Sequence, residues 1–382
     1  MNLVRFLIIL LVFIGLNGYL FIRGWQALPD KPWIHFMYTL VFLVASLSIF
    51  MAIFLGNRLP VWLALVFEQA GGYYMILFVF MLAGALLGDL LRITNHYLHF
   101  FPEWITTHYP QARLGYFLSV LLALVVISIV GFNRFTRTQL VEMEIVTNDT
   151  AEDSGNMTIV AASDIHLGNV IRKGRLAAWV ELINNQKPDL ILLAGDIFDH
   201  SYRAVLAQQM DEELLKLEAT YGVYAITGNH DYYAGIDRVM DFLKKANIQV
   251  LRDSVVTIGN RVNLIGRDDM TNTKRKSLKA LMDPVPKGLP TIVLDHQPGS
   301  IDESVQQGVD LHISGHTHNG QIFPFNKIVS RIYALGYGYR KTGDTHLYIS
   351  SGLGLWGAPI RLGTQSEIVR IRFLSGNHSR QE

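Results

Sequence analysis

Apolar residues come in long uninterrupted runs over the first part of the chain and in short runs after it. The long ones extend roughly from Phe6 to Ile22, Pro32 to Asn57, Gln69 to Gly88 and Leu114 to Asn133, and none contains Asp, Glu, Lys or Arg. Each approaches or exceeds the ~20 residues that cross ~30 Å of hydrocarbon as a helix. Trp, Tyr, Arg or Lys stand near their ends, as they do at membrane interfaces. One such run alone would also suit a buried core helix; four in succession predict transmembrane helices. The first is read as a retained span and not a cleaved signal, because Asn17 to Arg23 offer no small-x-small cleavage site.

Beyond Arg137 the pattern changes. Asn148, Asp149, Glu152, Asp153, Ser154 and Gly155 give 138–156 the character of a polar linker. Short runs of β-branched flavour follow at Thr158 to Ala162, Leu190 to Ala194, Val223 to Ile226, Thr291 to Leu294 and Leu311 to Ser314, all of strand length. Helical patterns at Lys173 to Asn185 and Ala204 to Glu218 separate the first three, which is the alternation of an α/β fold. From Ser254 onward short strands and turns dominate, so a second sheet packed on the first is expected, with helices outside both. The chain therefore divides into a four-helix transmembrane region at 1–137, a linker at 138–156, a soluble domain at 157–374 and a polar tail at 375–382.

Composition narrows the partners. A formal net charge of +1 supplies no broad field for nucleic acid, so the lipid bilayer is the expected macroscopic partner. Cysteine is absent, which removes thiolate ligands, disulfides and cysteine nucleophiles and leaves His, Asp, Glu and Asn as candidate ligands. Four spans put both chain ends on one side. Basic residues divide evenly, with Arg5, Arg58, Arg134 and Arg137 on that side and Arg23, Lys31, Arg92 and Arg113 on the other. The short amino-terminal tail then favours a protein of the inner membrane with its soluble domain in the cytoplasm. Asp89, the acidic residue well inside a span, is expected to pair with Arg92 one helical turn on, and His96, His99 and His108 to lie in a wet interfacial loop.

Polar motifs begin where the short apolar runs stop: Asp164-Ile165-His166, Gly195-Asp196-Ile197-Phe198-Asp199, Gly228-Asn229-His230-Asp231, His296 and Gly315-His316-Thr317-His318. In α/β sheets ligands gather at the carboxyl ends of strands, so residues far apart in sequence converge. Asp164 and His166, at i and i+2, leave a strand end on one face and can reach one cation. Asp196 offers two oxygens and can bridge two cations. Asn229 can supply a neutral carbonyl oxygen, and His296, His316 and His318 imidazole nitrogens. Nitrogen and oxygen donors without thiolate suit Mn, Fe, Zn, Co or Ni more than Ca. Gly195, Gly228 and Gly315 are expected to let the backbone turn sharply.

Taken together over roughly Met157 to Leu374, these residues resemble the calcineurin-like metallophosphoesterase superfamily. The strings Ser163-Asp164-Ile165-His166-Leu167-Gly168, Gly315-His316-Thr317-His318-Asn319-Gly320-Gln321, Gly352-Leu353-Gly354 and Pro359-Ile360-Arg361-Leu362-Gly363 resemble its membrane-associated bacterial branch of YkuE-type phosphohydrolases, itself similar to one type of UDP-diacylglucosamine hydrolase. The resemblance implies a four-layer α/β/β/α sandwich and two divalent ions, Mn, Fe or Zn. It implies Asp164, His166, Asp196 and His318 as ligands of one ion and Asp196, Asn229, His296 and His316 as ligands of the other. His230 is then the catalytic histidine and Asp199 the carboxylate that orients it. Two positions depart from the branch. Asn319 replaces the usual Gly after the last histidine, a residue that still tolerates a left-handed backbone. Asp295 precedes His296 and is expected either to tune that histidine or to face solvent.

The reaction so implied is hydrolysis of a phosphoester or pyrophosphate bond by a hydroxide bridging two cations, with His230 as proton donor. A lipid-linked phosphate is the favoured substrate because the spans tether the domain; soluble phosphomonoesters, nucleotides and a non-catalytic metal-stabilised scaffold are the alternatives. His312 is expected to be a sheet-face residue, His200 to need no metal, Asp268 and Asp269 to be loop residues with a place in the substrate pocket as the alternative, and Lys274, Arg275 and Lys276 to form a solvated basic face.

Overall fold

The computed structural model describes residues 3–55, 58–147, 156–200 and 202–375; the linker residues 148–155 and the tail residues 376–382 lie outside them. The chain forms two compact units, Met1–Val130 and Gly131–Glu382. In the first, α1 (Leu3–Ala27), α2 (Pro32–Leu55), α3 (Val61–Leu98), the short α4 (Glu103–Thr107) and most of α5 (Tyr109–Thr136), whose last turns belong to the second, follow one another. All but α4 are long and apolar enough to cross a membrane. The Asp89 carboxylate takes its main partners from another helix: Arg23 Nη2 lies 2.5 Å away and the Tyr19 hydroxyl donates at 2.8 Å, while Arg92 stands at 3.8 Å. The expected local pair thus ranks second, because α1 brings a basic and a phenolic donor to the same carboxylate. Among the described residues, His96, His99 and His108 belong to no group able to hold a metal.

The second unit holds two sheets. Its strands are β1 (Gln139–Thr147), β2 (Met157–Ala162), β3 (Leu190–Ala194), β4 (Val223–Ile226), β5 (Gln249–Val250), β6 (Ser254–Ile258), β7 (Val262–Gly266), β8 (Thr291–Leu294), β9 (Leu311–Ser314), β10 (Gly338–Thr342), β11 (Thr345–Ile349) and β12 (Glu367–Ser375). One sheet runs β1-β12-β2-β3-β4-β5, parallel except for the antiparallel pair β12-β2, and the other runs β10-β11-β9-β8-β7-β6, with a parallel centre flanked by the antiparallel pairs β10-β11 and β7-β6. The helices are α6 (Lys173–Asn184), α7 (Tyr202–Ala207), α8 (Asp211–Leu214), α9 (Asn229–Ala234), α10 (Ile236–Lys245), α11 (Leu278–Met282), α12 (Ile301–Gln306) and α13 (Phe325–Ile332).

Why the central strands read as unbroken apolar runs is now plain. Leu190, Leu192 and Ala194 of β3 pack toward the other sheet with Leu264, Ile292 and Ile313, whereas Ile191 and Leu193 pack under Trp179, Ile183 and Phe242 of the covering helices. Both faces of the strand are buried, so alternation disappears. On the far side Ile265 and Val293 meet Leu278 and Leu281 of α11, completing the expected four-layer α/β/β/α sandwich.

Two expectations are corrected. The stretch assigned to the linker begins with β1, which pairs in parallel with β12 from the other end of the chain; Arg370 meets Glu142 at 3.1 Å and Arg372 meets Glu144 at 3.6 Å across that ladder. The continuous helix expected over Ala204 to Glu218 is instead α7 and α8, separated where Gln209 turns left-handed at φ 50° and Met210 is fully buried.

Candidate metal centre

Every strand that carries a motif delivers it at its carboxyl end. Asp164 and His166 follow β2, Asp196 and Asp199 follow β3, Asn229 and His230 open α9 after β4, His296 follows β8, and His316 and His318 follow β9. The loops then lock together through their backbones: Asp164 N–H donates to Gly195 O at 3.0 Å, His166 N–H to Asp196 O at 3.0 Å, and Gly315 N–H to His296 O at 3.0 Å.

Side chains converge in three groups, Asp164 with His166 and His318, Asp196 with His296 and His316, and His166 with Asp199 and His230. His166 Nε2 and His318 Nε2 face each other at 3.1 Å. Asp164 Oδ1 lies 3.4 Å from His318 Nε2, and Asp196 Oδ2 lies 3.1 Å from His296 Nε2 and 3.8 Å from His166 Nε2. Asp196 therefore stands between the first two groups. His296 Nδ1 is 2.9 Å from the Ala194 carbonyl, which holds the proton on Nδ1 and turns the lone pair of Nε2 toward Asp196.

Orphaned atoms test whether a cation fits. Asn229 Oδ1 is buried without a hydrogen-bond partner, an expensive condition for a polar atom, and buried His296 Nε2 makes no aligned hydrogen bond, facing the Asp196 carboxylate at 3.1 Å. Burial disfavours a charge on His296, yet the Asp196 carboxylate outweighs it and raises the histidine well above its ordinary value. The site thus draws positive charge to that nitrogen. A donor set of imidazoles, carboxylates and one amide oxygen suits a first-row divalent ion, and the seven residues expected as ligands all lie at this cluster of strand ends.

His230 sits at its edge. Its Nδ1 is 3.1 Å from Asp199 Oδ1, and both side chains keep a small exposed fraction, 15% and 11%. Burial works against ionisation of Asp199, but hydrogen bonds to His166, His200 and His230 hold its carboxyl well below the usual range. His200, set aside as needing no metal, shares the same carboxylate oxygen at 2.7 Å.

The backbone at the expected ligands is unusual. Asp164, His166, Asp196, His316 and His318 all have positive φ, between 48° and 70°, a conformation that costs non-glycine residues of order 1 kcal/mol or more and that clusters at functional sites. Asn319 adopts it too, at φ 48°, so the departure from glycine is accommodated as expected. Of the three motif glycines, Gly195 does turn left-handed, at φ 87°. Gly228 is extended, with φ −114° and ψ 179°. It is required for room, since a Cβ there would lie 2.1 Å from Asp196 Oδ1, and one on Gly315 would lie 2.2 Å from Asp164 Oδ2.

Sequence reasoning left two supports without a role. Asp231 is fully buried and accepts N–H bonds from Gly228 at 2.8 Å and Phe198 at 2.9 Å, tying the Asp196 loop to the Asn229 loop. Burial and the nearby Asp196 push its carboxyl up to about 7. Its place on the third residue of α9, the capping-box position, was the available signal. Arg361 is also fully buried and donates to the carbonyls of Ser351 at 2.9 Å, Gly352 at 3.0 Å and Gly354. That loop in turn donates from Gly354 N–H to Asp164 O at 2.8 Å. Arg361→Met strands several buried acceptors, and at about 1–3 kcal/mol for each the unfolding free energy is expected to fall by about 3 kcal/mol or more. Denaturant melts of the metal-free protein measure it; an unchanged midpoint would remove Arg361 from this role.

The remaining candidates are structural. Asp295 neither tunes His296 nor faces solvent: it is fully buried and paired with Arg275 at 2.8 Å and Arg267 at 3.0 Å. Arg275 is thereby drawn in from the basic face expected to be solvated. Asp268 is satisfied by Thr227, Tyr232, Arg252 and Asn272, and Asp269 by Thr271 and Gln297, so neither offers a free carboxylate to a pocket. His312 bonds to Ser304 of α12 and Ser314 of β9, and burial holds its imidazole down to about 4.

Comparison with known proteins agrees with this geometry. Residues 157–320 match the profile of the family described as Calcineurin-like phosphoesterase. A metallophosphoesterase of Helicobacter pylori is 35% identical over 58% of this chain and 61% of its own length. One of Aquifex aeolicus is 32% identical over 60% of this chain and 90% of its own length. A protein of Danio rerio named transmembrane protein with metallophosphoesterase domain is 28% identical over 91% of this chain and 82% of its own length. The chain spans about three fifths of the length of the Helicobacter pylori relative. With its paired Asp and His clusters able to hold the divalent metals such proteins use, the chain belongs to the calcineurin-like phosphoesterase family.

Proposed function

We propose that the protein is a membrane-anchored phosphohydrolase that uses two divalent ions, Mn, Fe or Zn, to cleave a phosphoester or pyrophosphate bond. The observation that carries this reading is the meeting of Asp164, His166, Asp196, His296, His316 and His318 in groups whose ligand atoms lie within 4.8 Å, joined by the unpartnered Asn229 oxygen. Asp164, His166, Asp196 and His318 would hold one ion, and Asp196, Asn229, His296 and His316 the other. Such ions supply Lewis acidity and a water nucleophilic at neutral pH.

The chain's own residues supply the rest. Asp199 accepts from Nδ1 of His230 and so fixes the tautomer or the charge of that ring. In the imidazolium form of that ring, with a proton on each nitrogen, Nε2 is the atom that gives its proton to the leaving oxygen as the bond to phosphorus breaks and a bond from the attacking water forms, the ring ending neutral with Nδ1–H still on Asp199. The backbone N–H of His230 donates to Asp196 Oδ1 at 2.8 Å, coupling the position of the acid to that of the central carboxylate.

A lipid-linked phosphate, such as a phospholipid or a UDP-linked diacyl sugar, is the substrate class this reading favours. The support is covalent: α5 ends at Thr136 and β1 begins at Gln139, so little chain separates the last span from the sandwich. The test is a turnover screen of full-length, metal-reconstituted protein against lipid-borne phosphoesters, nucleotides and an aryl phosphate. Hydrolysis of the aryl phosphate with Mn, and a higher kcat/KM on lipid-borne substrates than on nucleotides, is expected. Nucleotide preference would transfer the assignment to soluble substrates, and no turnover on any would leave a metal-stabilised scaffold.

A further inference from the structure

Next to the metal centre the sandwich displays a surface that its own fold does not use. Helix α13 begins seven residues after His318 and carries Phe325, Ile328 and Ile332 on one face at helical spacing. These are 37%, 46% and 67% exposed, and no residue of the helix is buried. Phe323 just before it and Trp356 in a neighbouring loop are more than half exposed; Gln321 Nε2 donates to the Trp356 carbonyl at 3.0 Å and ties the two segments together. A soluble helix of this pattern turns its apolar face inward. This one is held outward.

It packs directly on the turn that carries His318: a Cβ on Gly320 would lie 2.4 Å from Asn326 N. Thr317, between the two ligand histidines, donates its hydroxyl to Gly336 O at 2.6 Å and anchors the segment after the helix.

Charge identifies what meets this face. Residues 321–337, which span α13 and its flanks, contain Lys327 and Arg331 and no Asp or Glu, and both cations are exposed. A protein partner's apolar patch explains the hydrophobic residues but not an acid-free basic border. Exposed Phe, Trp and Ile bordered by Lys and Arg match an anionic lipid surface, into which apolar side chains sink about 5–10 Å while the cations stay with the phosphates.

We propose that α13 with its flanking Phe323 and Trp356 is a docking surface for an anionic bilayer, bringing the strand ends that carry the metal ligands against lipid phosphates. The inference extends the lipid-substrate reading above, but its evidence and its test are separate from turnover.

The chain has no cysteine, so single spin labels can be placed at will in the full-length protein. Ile332→Cys is compared with Lys245→Cys, an exposed position on another helix, in vesicles of phosphatidylcholine alone and with one quarter phosphatidylglycerol. The label at 332 is expected to be more accessible to oxygen than to a water-soluble nickel chelate in the anionic vesicles, and the label at 245 the reverse. Adding Lys327→Gln and Arg331→Gln should lower the ratio of immersed to exposed label about five-fold for each cation removed. A label at 332 as wet as that at 245 would overturn the proposal, as would spin–spin broadening that reveals a second copy on this face, or immersion indifferent to lipid charge. Should Ile332→Cys fail to fold, Phe323→Cys gives the same reading. Immersion without cleavage of any lipid phosphate would leave the docking surface standing and remove the lipid substrate; cleavage of lipid with a wet label would do the opposite.

Discussion

Purified His230→Ala protein keeps its metal content and loses most of its turnover, by about 10²- to 10⁴-fold. The retention follows from position: the ring of His230 approaches Asp199, while the ligand groups around Asp164 and Asp196 are complete without it. Its link to the central carboxylate is a backbone N–H at 2.8 Å, which survives truncation of the side chain. The size of the loss should depend on the leaving group. A nitrophenolate departs without help, whereas an alkoxide needs a proton as it leaves, so the variant should be hurt least on activated aryl phosphates and most on alkyl esters. Parallel kcat/KM series on wild type and variant, with metal measured on the same samples, decide the matter. Equal losses across leaving groups would move His230 from proton donor to partner of the phosphoryl oxygen, and full activity at full metal would remove it from the chemistry.

How much of this could be read before the structure depends on whether the signal is local. A polar residue that ends an apolar run marks the carboxyl end of a buried strand, and that rule alone locates Asp164, Asp196, Asn229, His296 and His316 where the fold brings them together. Long spans are legible for the same reason, since bilayer thickness sets a length that any sequence displays. What escaped depends on partners distant in the chain. β1 looks like linker because its ladder partner, β12, lies more than two hundred residues on. Asp89 looks paired with Arg92 because nothing in sequence reveals that α1 presents Arg23 and Tyr19 to it. Asp295 looks like a neighbour of a ligand, yet a strand alternates its side chains, and the same backbone that sends His296 to the metal centre sends Asp295 to Arg267 and Arg275. The glycines mislead in a subtler way. A glycine suggests freedom to turn, but Gly228 and Gly315 are needed because oxygen atoms of Asp196 and Asp164 occupy the space of a side chain.

Asp196→Asn is expected to do the reverse of His230→Ala and abolish metal binding while the fold persists. The fold persists because Asn is among the residues that best accept the left-handed backbone found at this position, φ 50°, and because its amide oxygen can still accept from His230 N–H. An alanine here would add strain to the loss of charge and confuse the two. Metal binding fails because the side chain stands between both ligand groups, 3.1 Å from His296 Nε2 and 3.8 Å from His166 Nε2. Exchange removes the negative charge that would screen the two proposed cations from each other and turns an N–H₂ toward lone pairs. Loss of a mere outer partner of a ligand costs about 10- to 100-fold in metal affinity; loss of the shared carboxylate should exceed that. Metal analysis after equilibrium dialysis, beside a thermal melt of the metal-free protein, separates the outcomes. A variant that melts like wild type and holds less than one ion per chain is the expected result. A variant that retains a full complement would show that the two clusters bind their ions independently, and Asp196 would lose its place as the residue on which the site is built.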